Sequence, residues 1–197
     1  METELAIDNE KLVKEFGASR ISKLKDMPDF YTFKKGLIYS HRDFEKFFDA
    51  LKKGERCAIV SGLNASGSLH IGHKIVFDTN LYFQKKYGIP VFIPISDDES
   101  YLTGKVKSQE ESRIFAFQLA RELLAYGFDP VKTFFIIDQC CTGIYNLAIK
   151  LCRMVTLSEI KAVYGYENSE NPGMFFTLVF SRRIFFYRRN CLVSRMF

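Results

Sequence analysis

The spacing of hydrophobic positions changes several times along the chain, and each change marks an element. Phe44, Phe47, Phe48 and Leu51 recur at helical spacing up to Gly54, after Ser40-His41-Arg42-Asp43, which has the Ser-x-x-Asp form of a capping box. Cys57-Ala58-Ile59-Val60-Ser61-Gly62 is a short apolar run, the pattern of a buried parallel strand. Ile75, Val76, Tyr82 and Phe83 return to helical spacing, and Lys85-Lys86-Tyr87-Gly88 closes that helix with basic charge and a C′ glycine. Pro90-Val91-Phe92-Ile93-Pro94-Ile95 predicts a second strand, which its prolines weaken. A long helix from Ser108 to Tyr126 stops at Gly127, and Thr133-Phe134-Phe135-Ile136-Ile137 predicts a third strand. Upstream, residues 5 to 27 predict one or two short helices broken at Gly17, with a connection around Pro28-Asp29-Phe30.

Strand, helix, strand, helix, strand is the order of a doubly wound parallel sheet of the Rossmann-like α/β class. Residues 1–54 are then a helical N-terminal extension and residues 55–176 a partial Rossmann-like domain. The 197 residues, 47% hydrophobic, suffice for one domain with an extension. No apolar run reaches the roughly 18 residues of a membrane span, and Met1-Glu2-Thr3-Glu4 lacks the regions of a secretory leader. No membrane association is expected, and the expected compartment is the cytoplasm. The cysteines (Cys57, Cys140, Cys141, Cys152, Cys191) are odd in number and form no framework, so they read as reduced thiols.

At the junction of the first strand and its helix stands Ser66-Gly67-Ser68-Leu69-His70-Ile71-Gly72-His73. A helix N-terminus there offers backbone N–H groups and positive dipole to phosphate, and Gly72 lets a flat base approach the backbone. His70 and His73, three apart, share one helix face and can both donate to phosphate oxygens. A bare pair of this spacing is as readily a surface pair or half a metal site. Here His41 is the only other histidine and no cysteine pair has zinc spacing, so no metal site is expected. The second constellation, Ser96-Asp97-Asp98-Glu99, follows the second strand at the edge where ligands of such sheets bind. Taken alone it is a solvated loop with an N-cap. Beside the histidines it offers acceptors for an ammonium group and a ring N–H in a partly dry pocket.

The His70–His73 stretch resembles the H-I-G-H signature of class I aminoacyl-tRNA synthetases. Further segments sharpen the resemblance to the archaeal and eukaryotic tryptophanyl-tRNA synthetases: Lys35 to Phe44, Ser61 to His73, Ser96 to Glu99, Ala125-Tyr126-Gly127-Phe128-Asp129-Pro130, and Val155 to Gly165. The tyrosyl-tRNA synthetases are the rival family; the Ser-His-Arg-Asp-Phe preamble and the Asp-Asp-Glu segment favour tryptophan. The resemblance implies activation of tryptophan by ATP and transfer to tRNA(Trp), with magnesium accompanying ATP and a homodimer when full length. It assigns His70 and His73 to catalysis, Gly62, Ser66, Gly67, His70, Gly72 and His73 to ATP, and Asp98 and Glu99 to the amino acid. Ala65 departs from the proline usual before Ser-Gly, and Val60 and Pro94 match no tryptophan contact. The lysine-rich K-M-S-K-S signature, which the family uses on pyrophosphate, and the anticodon-binding helical domain have no counterpart in the chain.

Charge separates the last stretch from the rest. Arg182, Arg183, Arg188, Arg189 and Arg195 account for the whole net charge of +5; without them, basic and acidic residues balance at 23 each. A basic, aromatic-rich tail is also the composition of a nucleic-acid or membrane-surface patch. Three functional classes follow: a synthetase half that relies on a second polypeptide, an inactive truncated product, and a nucleic-acid-binding fragment using the arginines. After Pro172-Gly173-Met174-Phe175-Phe176 the family commonly reads Y-P-x-V-Q-A-A-D-I-L-L-P. A one-base shift of the codons for Thr177 to Tyr187 is compatible with nearly that string, so residues 177–197 are expected to be an out-of-frame tail. Genomic DNA read across the codons for Phe176 and Thr177 is expected to show the shift; recovery from native cells of active protein ending at Phe197 would contradict it.

Overall fold

The computed structural model describes residues 18–181 and 192–195. Strand β1 (Ser19–Arg20) pairs antiparallel with β2 (Ser40–His41), and between them lie a single 3-10 turn, Ile21–Lys23, and the short helix α1 (Tyr31–Lys34). Residues 18–27 are therefore not the predicted helix, while residues 5–17 lie outside the described residues. Arg20 and Leu24 are extended, and the Ile21 N–H donates to the Tyr39 carbonyl instead of to a helical partner. Pairing across the chain wins over a local helix that has only Ile21 and Leu24 to bury.

Helix α2 (Phe44–Lys52) begins without the predicted capping box. Ser40 is engaged in β2, Asp43 at the N-cap is left-handed (φ 54°) with no side-chain cap, and the Phe44 N–H donates to His41 Nδ1 at 3.3 Å. The predicted stripe nonetheless holds: Phe44, Phe47, Phe48 and Leu51 are all buried.

The main sheet is parallel throughout, with strands β3 (Cys57–Val60), β4 (Leu63–Asn64), β5 (Val91–Ser96), β6 (Thr133–Ile137) and β7 (Leu192–Arg195). Their spatial order is β6–β5–β3–β7, with β4 paired to the carboxyl end of β5. The first strand of the sheet thus lies beside the last, the arrangement of a doubly wound sheet. β3 and β4 line the same edge of β5, Ile59 opposite Val91 and Leu63 opposite Ile95, and are interrupted at Ser61–Gly62. The interruption faces Pro94, which has no N–H to give a neighbour. A side chain at position 62 would place its Cβ 3.1 Å from Pro94 Cγ and 3.3 Å from the Pro94 carbonyl oxygen, so glycine lets the proline ring sit inside a central strand. The predicted second strand survives its proline for this reason.

Helix α3 (Ile71–Tyr87) carries the chain from β4 to β5, and α4 (Asp97–Leu102) with α5 (Gln109–Tyr126) from β5 to β6. Helices α6 (Ile144–Cys152), α7 (Leu157–Tyr164) and α8 (Pro172–Ser181) follow. Ser96-Asp97-Asp98-Glu99 is therefore not a loop, because β5 passes directly into α4. None of the described helices is long and apolar enough to cross a membrane.

One aromatic side chain joins the N-terminal segment to the sheet. Phe83 of α3 is fully buried, and the rings of Phe33, Phe44, Phe47, Phe48, Tyr82 and Tyr87 lie with centroids between 5.1 and 6.5 Å from it. Ile59, Val91, Ile93 and Ile95 from the sheet belong to the same core, so residues 21–51 close one face of the sheet's core instead of standing apart as an appendage.

Candidate active site

The loop that leaves β4 carries Ser66 to Leu69 to the N-terminus of α3, where His70 is the N-cap residue with extended backbone. Its Nδ1 accepts a hydrogen bond from the Gly72 N–H at 3.2 Å, while the His73 Nδ1 accepts from the His70 N–H at 3.2 Å. The two imidazoles thus form a reciprocal capping box in which histidine takes both roles usually filled by Ser or Thr and Glu. Their ring centroids are 3.9 Å apart and their planes 31° apart.

This geometry fixes the chemistry that the rings offer. A neutral imidazole has one donor and one acceptor nitrogen, so an Nδ1 that accepts a backbone N–H leaves the proton on Nε2. Both rings therefore have an Nε2–H to give. Burial first, and the neighbouring His70 second, hold His73 below the ordinary imidazole range and keep it neutral near pH 7. The sequence led us to expect unoccupied amides in the first turn. Those of His70 and Gly72 are instead taken up by the rings, and the rings carry the donor function outward. Gly72 is required by this arrangement, since a Cβ there would sit 3.0 Å from both Cε1 and Nδ1 of His70. Ile71, between the histidines, is 81% exposed and offers an apolar surface beside them that the sequence reading passed over.

The loop is held from two sides. Toward the sheet, Asn64 Nδ2 donates to Glu99 Oε1 at 3.3 Å and the Ala65 N–H to the Ser96 carbonyl at 3.5 Å. Toward α5, the Leu69 N–H donates to Glu122 Oε2 at 2.8 Å, and Gln118 Nε2 donates to Ser68 Oγ at 2.7 Å and to Glu122 Oε1 at 2.8 Å. The Leu69 amide is the main reason that the Glu122 carboxyl titrates below its usual range. Four residues further along α5, the Tyr126 hydroxyl donates to Asp78 of α3, which also accepts from Tyr31 and from Lys74. Burial acts to raise the Asp78 pKa, but these three donors outweigh it and the carboxyl is held low. Gly67 has open space where a side chain would begin, and Ser66 is exposed, so the turn before the histidines is uncluttered.

At the end of β5, the acids separate into different roles. Asp97 is fully buried; its Oδ1 accepts the Gln139 N–H at 3.1 Å and its Oδ2 has no hydrogen-bond partner. Burial raises its pKa. Burial raises that of Asp98 as well, reinforced by the charges of Asp97 and Glu99, while its Oδ1 accepts the Glu99 N–H at 2.7 Å. Glu99 is the member joined to the histidine loop, through Asn64. The structure thus brings His70 and His73 into contact and ties Glu99 to their loop, whereas Asp98 is engaged by the Glu99 amide of its own helix and by the Asp138 side chain. Sequence reasoning missed Asn64, Gln118 and Glu122. The spacing of four between Gln118, Glu122 and Tyr126 was the available signal for a polar ladder along α5. No group of three or more His, Cys, Asp or Glu suited to a metal ion occurs among the described residues.

The family model for class I tRNA synthetases (W and Y) matches residues 52–178. The chain is 33% identical over 204 residues to the tryptophan--tRNA ligase of Pyrococcus furiosus, covering 98% of this chain and 52% of that protein. Among solved structures it is similar to a tryptophanyl-tRNA synthetase from Encephalitozoon cuniculi bound to tryptophan, with a TM-score of 0.82, 25% identity, and coverage of 94% of this chain and 60% of that one. The tryptophanyl-tRNA synthetase of Plasmodium falciparum gives a TM-score of 0.80 at 27% identity over 90% of this chain and 52% of that one. The chain spans about half the length of the curated relatives it matches.

The half-buried His73, whose pKa is held low, makes a pH prediction. The unfolded chain takes up a proton near the ordinary value of about 6.5 and the folded chain only below it, so stability that is complete above that value falls as pH drops through the window between the two. Urea unfolding between about pH 5 and 7.5 should show a steeper loss for the wild type than for His73→Gln; equal slopes would contradict the assignment.

Proposed function

Because the chain belongs to the class I tRNA synthetases of the tryptophan and tyrosine family, we propose that its site binds ATP and tryptophan for the formation of tryptophanyl-adenylate. The observation that carries this reading is the pair of imidazoles whose Nδ1 atoms are occupied by backbone amides, leaving two Nε2–H donors at a helix N-terminus. A carboxylate oxygen of tryptophan attacks the α-phosphorus of ATP, the bond from that phosphorus to the bridging oxygen breaks, and pyrophosphate departs with the electron pair. Negative charge grows on the oxygens of the α-phosphoryl group, where two pre-positioned donors stabilise it without the cost of reorienting. Alignment of carboxylate and phosphorus supplies the rest, so no covalent enzyme intermediate is needed.

In this reading Gly62, Ser66 and Gly67 bound the turn that holds the triphosphate, and Gly72 with exposed Ile71 forms the floor under adenine. Asp98 and Glu99 lie toward the amino acid, and magnesium arrives with the nucleotide. The adenylate then acylates the 3′ end of tRNA(Trp), a step assigned to the cytoplasmic, homodimeric full-length enzyme. Tryptophan is preferred over tyrosine because the relatives named above are tryptophan enzymes. Residues 177–197 are read as out of frame. The ladder between β7 and β3 does not bear on this, because it is made by backbone groups that any sequence carries.

Amino-acid-dependent ATP–pyrophosphate exchange, together with direct ATP binding, tests the reading. Tryptophan should support exchange and tyrosine should not, and His70→Ala or His73→Ala should each lower the rate by about a hundredfold or more. ATP binding without exchange would assign the chain the binding half of the site alone. Failure to bind ATP would contradict the proposal.

A further inference from the structure

We infer that Glu122 is a positioning residue: from the middle of α5 it fixes the backbone of the Ser68–Leu69 turn and so sets the direction in which the histidine pair meets its ligand. The inference rests on the reading that this pair binds the phosphates of ATP. Glu122 lies more than fifty positions along the chain from that turn, yet it is joined to it directly through one carboxylate oxygen and by way of Gln118 through the other. Oε2 accepts the Leu69 N–H directly at 2.8 Å. Oε1 accepts from Gln118 Nε2 at 2.8 Å, and the same nitrogen reaches Ser68 Oγ at 2.7 Å. Leu69 immediately precedes His70, so the plane of its amide governs where the N-cap residue begins.

A charged acceptor is the strong choice for one backbone amide, and a side chain that accepts at both oxygens is held in one orientation. The second contact row between the same elements, Tyr126 to Asp78, lies one helical turn further along α5. It fixes α3 against α5 without touching the turn, leaving Glu122 and Gln118 as the groups that set the turn itself. No hydrogen bond joins Glu122 to the imidazoles among the described residues, and its effect passes through the Leu69 amide.

The experiment compares the full chain with Glu122→Ala, Glu122→Gln and, as a control on the same helix, Arg121→Ala. Glutamine can keep the Leu69 bond through its carbonyl oxygen. A flip of the Gln118 amide then turns that residue's oxygen toward both Ser68 Oγ–H and the new NH₂ group. Amide hydrogen exchange at Leu69 and His70 is measured first without nucleotide, followed by ATP affinity. Glu122→Ala should speed exchange at these two amides about tenfold or more and weaken ATP by a similar factor, with exchange in the middle of α3 unchanged. Glu122→Gln should stay within about threefold of wild type on both readouts, as should Arg121→Ala. Unchanged exchange at Leu69 in Glu122→Ala would overturn the inference, as would equal losses in the alanine and glutamine variants or a loss spread evenly along α3. If wild type itself does not bind ATP, the exchange readout still decides the role of Glu122, and only the proposed function fails.

Discussion

The organisation of this site depends on one local interaction, the reciprocal hydrogen bonding between two imidazoles and the first turn of α3. A helix start must satisfy amides that have no partner within the helix, and Ser, Thr, Asp and Asn do so at the expense of their own polar groups. An imidazole has a second nitrogen. When Nδ1 serves the cap, Nε2 remains as a donor, so one side chain both completes the helix and faces a ligand. Two such residues in one box double the effect, the Gly72 amide fixing the tautomer of His70 and the His70 amide that of His73. The requirement for glycine between them follows directly, since any Cβ at position 72 would press on the His70 ring.

The surrounding architecture delivers this turn to the edge of the sheet. Pro94 interrupts the ladder between β5 and the β3–β4 edge, and Gly62 accommodates it, so the chain regains pairing at Leu63 before the loop begins. Asn64 and Ala65 then hold the loop to β5 and α4, while Ser68 and Leu69 hold it to α5. The loop is suspended between a strand end and a helix face. That is a more rigid support than a free turn, and it suits the proposed chemistry of alignment and charge stabilisation. The aromatic cluster on Phe83 anchors the C-terminal half of α3 and holds the helix against the core.

Much of this was legible in the amino-acid sequence. Apolar runs at Cys57, Val91 and Thr133, separated by segments of helical period, dictate a parallel sheet, and Ser66–His73 marks the helix start on which the proposed phosphate contacts rest. What escaped has a common cause: local signals were read where a partner distant in sequence decides. Ser40 resembles a cap, but pairing of β2 with β1 removes it and His41 takes its place. Residues 5 to 27 resemble one or two short helices, but the backbone of residues 19–21 is claimed by residues 39–41. The burial of Asp97, which leaves Glu99 as the acid joined to the histidine loop, is likewise invisible locally, because it follows from β5 passing straight into α4. The role of Glu122 needs the fold itself, because nothing near it in sequence shows that its carboxylate ends at Leu69.

Long-range ¹H–¹⁵N correlation spectra of the imidazole rings, recorded near pH 7.5, read the tautomers of the two histidines directly. Nitrogen shifts showing the proton on Nε2 in both His70 and His73 are predicted, with Nδ1 shifted as an acceptor. A ring carrying its proton on Nδ1 would contradict the capping arrangement, and with it the supply of outward donors on which the proposed chemistry relies.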